Sequence, residues 1–302
     1  MSHLCYKCKK PVDLTESHEG LHRECFCEWF GVELPEPFED LVARNEVRTG
    51  EWTEKNSSFF HGKFRKYSAR LGSRSYILKV QQPEVPELPA TEFLCNQIAA
   101  SLGIDVPEHY FIRFQNTLDT FVSTNLMQKF PDSDLVHIYR FLQHPGQYNC
   151  EELLKVIETE TKQIDEIYRF IQLCLFDALI GNHDRHGRNL GLIPSKSRTY
   201  LAPFYDNPSY LALEIPILLD AQHEPRGAIG TKKSQEPTMR DYVDEWVRLG
   251  FSEPILDFKR TIHIANIETL IAGSFISPKR QSALKRLIQR RYQELCHASE
   301  RL

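Results

Sequence analysis

Apolar positions along this chain change their period twice. Between Tyr67 and Val80 they alternate with polar ones, as Tyr67, Ala69, Leu71 and then Tyr76, Leu78, Val80, around a Leu71-Gly72-Ser73-Arg74 stretch with the composition of a hairpin turn. The alternation puts Lys79 on the face opposite Leu78 and Val80. After a proline-rich link from Pro83 to Pro89, the residues Phe93, Leu94, Ile98, Ala99 and Leu102 follow a helical period that closes at Gly103, which predicts a helix over 90–102. Ile104–Phe114 and Thr120–Met127 read as further strands, so 51–128 is expected to form a mixed sheet with one helix. Beyond it the period is mostly helical. Ile167, Phe170, Ile171, Cys174, Leu175, Ala178 and Leu179 line one face of a helix leading directly to Asn182, and Ile255 to Arg291 supplies closing helices. Phe38, Leu41, Val42 and Val47 suggest a short linking helix before Gly50, and Tyr200–Tyr205 a short strand ending in Asp206. The predicted class is α+β with two lobes: a β-rich small lobe with its linker over 35–128, a mostly helical large lobe over 129–302, and a small head over 1–34.

The head changes the picture because it holds four of the eight cysteines, as Cys5-x-x-Cys8 and His22-x-x-Cys25-x-Cys27. Two such pairs can close a tetrahedral zinc site, whose ligands supply folding energy that so short a peptide cannot draw from a core of its own. The favoured set is Cys5, Cys8, His22 and Cys25, with Cys27 as a substitute for His22 or Cys25. Cys95, Cys150, Cys174 and Cys296 are scattered singly and read as thiols, not as a disulfide frame. With a net charge of -4 there is no global basic field to make nucleic acid or an anionic membrane the principal partner. The local clusters Lys63, Arg65, Lys66, Arg70, Arg74 and Lys279, Arg280, Lys285, Arg286, Arg290, Arg291 read as solvated faces. No apolar stretch approaches membrane length and the start lacks a secretory pattern, so a cytoplasmic protein is expected.

The densest chemistry lies in Asn182-His183-Asp184-Arg185-His186-Gly187-Arg188-Asn189, set between apolar flanks. Asp184 and Asn189 stand in the Asp-x-x-x-x-Asn spacing of a phosphoryl-transfer loop, in which the Asp orients or deprotonates the acceptor hydroxyl and the Asn amide oxygen holds magnesium. Asp206 is placed to be the second metal ligand. A two-lobed kinase further needs a lysine on a small-lobe strand for the α/β-phosphates and a helix glutamate to hold it, and Lys79 and Glu92 occur in that order. His186 divides between touching nucleotide and orienting the backbone.

Three stretches carry a family resemblance. They are the cysteine-bearing head with Trp29-Phe30-Gly31; Tyr76-Ile77-Leu78-Lys79-Val80 with Pro86 to Glu92 and Leu102 to Pro107; and Asn182-x-Asp184-x-His186-x-x-Asn189 with Leu201 to Asp206. The chain resembles the HipA-like serine/threonine kinases, the bacterial toxin kinase family of the protein-kinase-like superfamily, over essentially its whole length. The resemblance implies that ATP is bound by Lys79 supported by Glu92, that Asp184 is catalytic, and that Asn189 and Asp206 hold magnesium. It also implies a mobile serine-bearing loop over 56–62, making Ser57 and Ser58 candidates for autophosphorylation. Where the family often has Arg-Phe-Asp-Arg after the last small-lobe strand, this chain has Asn125-Leu126-Met127-Gln128, so adenine contacts are expected from the backbone near Thr124 and Leu126. The long toxins carry an additional amino-terminal subdomain that has no counterpart here. The partners implied are therefore a protein substrate, an antitoxin and a small separately encoded subdomain-like protein.

The function expected is magnesium-dependent phosphoryl transfer from ATP to serine or threonine of a protein. The alternatives are a lipid or small-molecule kinase, since phosphoinositide kinases also use an Asp-Arg-His-x-x-Asn loop, and a nucleotide-keeping pseudokinase acting as a binding module. Against the last stand Lys79, Asp184 and Asp206, all retained. The resemblance implies either a chromosomal toxin or an effector delivered into a host cell.

Overall fold

The computed structural model describes residues 2–13, 15–44, 65–144, 148–221 and 225–302. Ser57 and Ser58 lie outside these. The head begins with an antiparallel hairpin of β1 (Ser2–Leu4) and β2 (Pro11–Asp13), followed by α1 (Arg23–Phe30), which stops at Gly31. This head packs through its own aromatic side chains. Phe26 and Phe30 are buried against Phe38, and Phe30 packs on Tyr76 and Tyr110 of the small lobe with ring centroids 5.6 and 4.5 Å away. Tyr6 lies 4.9 Å from Phe111 and donates a 2.6 Å hydrogen bond to Asp119 Oδ1. Head and small lobe therefore share one hydrophobic core.

The small lobe is a five-stranded sheet ordered β3-β4-β5-β7-β6, with β3 (Glu39–Ala43), β4 (Arg65–Leu71), β5 (Arg74–Val80), β6 (His109–Phe114) and β7 (Leu118–Thr124). The sheet expected as mixed has every pairing antiparallel. Of the stretch expected as a linking helix, Val47 lies outside the described residues, and Glu39–Ala43 is the edge strand β3, because pairing Val42 with Ser68 and Ala43 with Tyr67 satisfies its backbone, a long-range gain that local periodicity does not register. The turn at Gly72 and Ser73 fixes the register of β4 on β5 and sets Lys66 opposite Lys79. Helix α2 (Leu88–Ser101) starts with Pro89 in its first turn and lies against the sheet. Leu94, Cys95, Ile98 and Ala99 are fully buried, each large aliphatic side chain contributing roughly 1.5–3 kcal/mol.

The large lobe holds a three-stranded sheet ordered β10-β9-β8, from β8 (Val136–His137), β9 (Gly191–Pro194) and β10 (Thr199–Leu201), and the helices α3 (Cys150–Thr161), α4 (Ile164–Ile180), α5 (Met239–Arg248), α6 (Glu253–Thr261), α7 (Ile264–Ala272) and α8 (Pro278–Ser299). Thr238 and Asp241 form a reciprocal cap at the start of α5. Helix α4 is the spine, buried nearly all round, and it stops at Gly181 with φ 69°. A Cβ there would come within 2.5 Å of Pro225 and 2.8 Å of Leu287, so both conformation and space demand glycine where the chain turns into the Asn182–Asn189 loop. The fold is two-lobed and protein-kinase-like, and no helix among the described residues is long and apolar enough to cross a membrane.

Candidate active site

The two lobes meet over a cleft with a cavity volume of about 590 Å³, lined from above by Ile77, Lys79, Glu92 and Phe121 and from below by His186, Asn189, Tyr205 and Asp206. Lys79, on β5, is 4% exposed and makes short ion pairs with both Glu92 Oε1 of α2 and Asp206 Oδ1 of the large lobe. Lys66 reaches the other oxygen, Oδ2, at 3.4 Å. Burial opposes ionisation of Asp206, but Lys66 and Lys79 outweigh it and hold the carboxyl well below the usual carboxylate range. Glu92 moves the other way, because its burial is complete and Asp206 adds like charge, which the attraction of Lys79 only partly offsets. Asp206 is thus the more acidic of the two carboxylates. It follows β10 by five residues instead of ending the expected strand, and its φ of 54° turns the chain so that the carboxylate faces the small lobe.

The loop beneath is organised by a residue the spacing left in a variable slot. Arg185 is 1% exposed and donates from Nε to Asp177 Oδ2 at 2.8 Å and from its two terminal nitrogens to Asp177 Oδ1 at 2.9 Å, the carbonyls of Asn189 and Tyr205 at 2.9 and 2.6 Å, and Asn207 Oδ1 at 2.6 Å. Five donors meet five acceptors, so the guanidinium fixes α4, the catalytic-type loop and the Asp206 segment together. Asn207 in turn donates to Asn96 Oδ1 at 3.0 Å, and Asn96 donates to the Glu92 carbonyl at 2.8 Å. The network joins both lobes below Lys79.

Asp184 is 5% exposed, with its amide donating to Asn182 Oδ1 at 3.0 Å and its carbonyl accepting from Asn189 Nδ2 at 2.9 Å. That second bond fixes the Asn189 amide with its nitrogen on the loop, leaving Oδ1 as its remaining acceptor at the cleft. His186 accepts the Arg188 N–H through Nδ1 at 3.1 Å, and burial, aided by Lys66, Arg188 and Arg185, drives its pKa down to about 4 despite the opposing Asp206 charge. It is a neutral ring that shapes the loop and lines the cleft. His183 instead binds the Arg226 carbonyl through Nδ1 at 2.7 Å. At the hinge, Thr124 and Asn125 donate their amides to the Glu108 and Ser75 carbonyls at 2.8 and 2.9 Å, while Leu126 lines the cleft.

The basic clusters are not wholly solvated faces. Lys66 turns into the cleft, and Arg280 and Arg291 are 5% and 1% exposed, because sheet register and helix packing place them against acceptors.

In the head, donor atoms of Cys5, Cys8, His22 and Cys25 all lie within 4.8 Å of one another. Cys27 turns away to the Glu33 carbonyl. His22 Nε2 is 3.0 Å from the Pro11 carbonyl, which selects the tautomer that donates there and leaves the Nδ1 lone pair facing Cys8 and Cys25 sulfur at 3.4 and 3.9 Å. Burial alone would raise the Cys5 thiol, but the N–H groups of Cys8, His22 and Lys7 bring it down to about 7. Burial and the sulfurs of Cys8 and Cys5 push Cys25 up to about 12. Three sulfurs and one imidazole nitrogen suit zinc.

A model of the HipA-like C-terminal domain matches residues 53–274. The chain belongs to that family. The protein of Sinorhizobium fredii (strain NBRC 101917 / NGR234) named "Putative kinase Y4dM" is 29% identical over 150 residues, 44% of this chain, and the chain spans only 36% of that protein's length. Among solved structures, the Helicobacter pylori proinflammatory kinase CtkA superposes with a TM-score of 0.65 at 17% identity, covering 78% of this chain and 93% of its own. HipA of Shewanella oneidensis MR-1, solved with HipB and its operator DNA, gives 0.55 at 15% identity, covering 90% and 73%. At these identities the likeness is one of fold.

Proposed function

We propose that the protein is a HipA-like kinase that transfers the γ-phosphoryl group of ATP, with magnesium, to serine or threonine of a protein. The observation that carries this reading is the buried Lys79 held between Glu92 and Asp206, directly above the Asp184–Asn189 loop. Lys79 would bind the α/β-phosphates, joined by Lys66, and Glu92 would hold the lysine in place. Adenine would pack on the apolar cleft wall and read the carbonyls near Thr124 and the amide of Leu126. Asp206, ionised, and Asn189 Oδ1 are hard oxygen donors fit for magnesium. When bound, that ion supplies charge neutralisation on the β- and γ-phosphates. Asp184 would accept a hydrogen bond from the acceptor hydroxyl and take its proton as the phosphoryl group arrives. His186, neutral, fixes the loop's turn next to the nucleotide. The head would hold one structural zinc through Cys5, Cys8, His22 and Cys25.

The protein-serine preference rests on the family, as does proposed switching by phosphorylation at Ser57 or Ser58. An antitoxin, or a small separately encoded subdomain-like protein, is the proposed binding partner, by analogy with the HipA–HipB assembly. The test is incubation of the purified chain with magnesium and γ-labelled ATP in the presence of a generic protein acceptor, and mapping of labelled residues by mass spectrometry. Label on serine or threonine, absent in Asp184→Ala, is expected. Label only on added lipid or small-molecule acceptors, or ATP binding with no transfer to any acceptor, would replace this reading.

A further inference from the structure

The segment Gly273–Ser277 between α7 and α8, with Arg280 in the first turn of α8, joins head, small-lobe helix and large lobe away from the cleft. Phe275 stacks on Phe111 of β6 with centroids 5.1 Å apart and an interplanar angle of 15°, and it lies 4.7 Å from Tyr6 of the head and 6.3 Å from Phe93 of α2. Lys9 of the head donates to the Gly273 carbonyl. At the start of α2, Glu87 Oε2 accepts the Ser277 N–H at 2.6 Å and stands 3.3 Å from Arg280 Nε, an ion pair held by charge without an aligned hydrogen bond at that nitrogen. Arg280 also donates to the carbonyls of Leu211 and Glu214, in the segment that follows Asp206. A buried arginine thus touches both the helix that carries Glu92 and the chain that carries Asp206.

We infer that Glu87 and Arg280 are positioning residues that lock α2 onto the large lobe, so that Glu92 and Asp206 stay close enough to share Lys79. Glu87 precedes the first turn of α2 and Glu92 lies one and a half turns further on, so a movement of the helix start is carried rigidly to the Glu92 carboxylate. On the large-lobe side, Arg280 fixes two carbonyls downstream of Asp206, and the Asn207–Asn96 bond ties the same two elements at the other end. Released from Glu87 and Arg280, α2 stays tied to the large lobe at Asn96 and by its apolar contacts, so its first turn is the part set free to shift, and a shift there strains the buried Glu92–Lys79 ion pair. This inference rests on the nucleotide reading of the cleft.

The lock predicts an effect on phosphate recognition that a general loss of stability would not produce. Glu87→Gln keeps an acceptor for the Ser277 N–H and removes the charge facing Arg280; Arg280→Lys keeps a charge and loses the fork. Binding of Mg-ATP and of adenosine to the whole chain is measured by calorimetry and saturation-transfer NMR, at a temperature where circular dichroism shows each variant folded. Glu87→Gln is expected to weaken Mg-ATP roughly two- to thirtyfold while leaving adenosine unchanged, with Arg280→Lys recovering part of the loss seen in Arg280→Met. Equal affinity for Mg-ATP in wild type and Glu87→Gln, or parallel losses for ATP and adenosine, would overturn the lock. Failure of the wild-type chain to bind either ligand would instead remove the nucleotide reading, and the lock with it.

Discussion

Replacing Arg185 by methionine removes one guanidinium from a site where five acceptors surround it. Methionine fills comparable volume, so the cost comes from what is left behind. Asp177, 3% exposed, keeps a bond from Asn182 Nδ2 at 2.9 Å but loses its counter-charge, and breaking a buried pair in this way costs about 3–5 kcal/mol. The carbonyls of Asn189 and Tyr205 and the Asn207 amide oxygen lose donors as well. At about 1 kcal/mol for each that finds no water, the total reaches roughly 6–8 kcal/mol when all three are orphaned, a large part of the ~5–15 kcal/mol that holds a domain together. The double variant Arg185→Met/Asp177→Asn should recover about 2 kcal/mol, because asparagine is neutral and still accepts from Asn182. Urea unfolding followed by tryptophan fluorescence is a suitable measure, since Trp246 is fully buried against Phe170 of α4. A single variant within about 1 kcal/mol of wild type, or a double variant no better than the single, would show that the orphaned charge is not what the network neutralises.

Asp184→Ala should lower phosphoryl transfer at least about a hundredfold while keeping ATP affinity within about tenfold, because the proposed role concerns the acceptor and not the nucleotide; single-turnover labelling beside calorimetry separates the two. Glu19, 8% exposed where head meets small lobe, has its carboxyl pushed up to about 7 by burial against the opposing Gln115 N–H. Its folded pKa exceeds its unfolded one, so its contribution is complete below about pH 4 and is lost as pH rises through 7. Glu19→Gln should abolish that decline and gain up to about 3 kcal/mol at pH 8, which thermal melts from pH 5 to 8 would check. One zinc per chain is expected by elemental analysis of protein purified without added metal. Its chelation should lower the melting temperature of the small lobe together with the head, since the two share a core; amide exchange confined to the first 34 residues would contradict that coupling.

Local motifs were legible because their chemistry is written in consecutive residues. Lys79, Glu92 and Asn189 line one cleft, Asp184 is buried on the loop beneath it, and the Cys5, Cys8, His22 and Cys25 donors converge. What sequence hid depends on long-range partners. Arg185 occupies a position the motif treats as free, and its signal lay elsewhere, in Asp177, a carboxylate inside an otherwise apolar helix face that requires a cation from another element. Lys66 was also recoverable in principle. Once Gly72 and Ser73 form the turn, Leu71 pairs with Arg74 and Lys66 must share a face with Lys79. Strand β3 offered no such clue, since all its residues are exposed and only β4 makes it a strand.

The aromatic packing of the head separates two boundaries that are easily taken for one. The recognisable family region runs from residue 53 to 274, yet Phe30 and Phe38 cover Tyr76 from before it, and Leu284, Leu287 and Ile288 of α8 fill the large lobe from after it. A fragment cut at the family limits would lose its edge strand, its amino-terminal aromatic cover and its longest helix, exposing apolar surface on both lobes. The heritable unit that sequence comparison detects is smaller than the cooperative unit that folds, and the segments on either side of it are free to diverge only in ways that keep those rings and leucines covered.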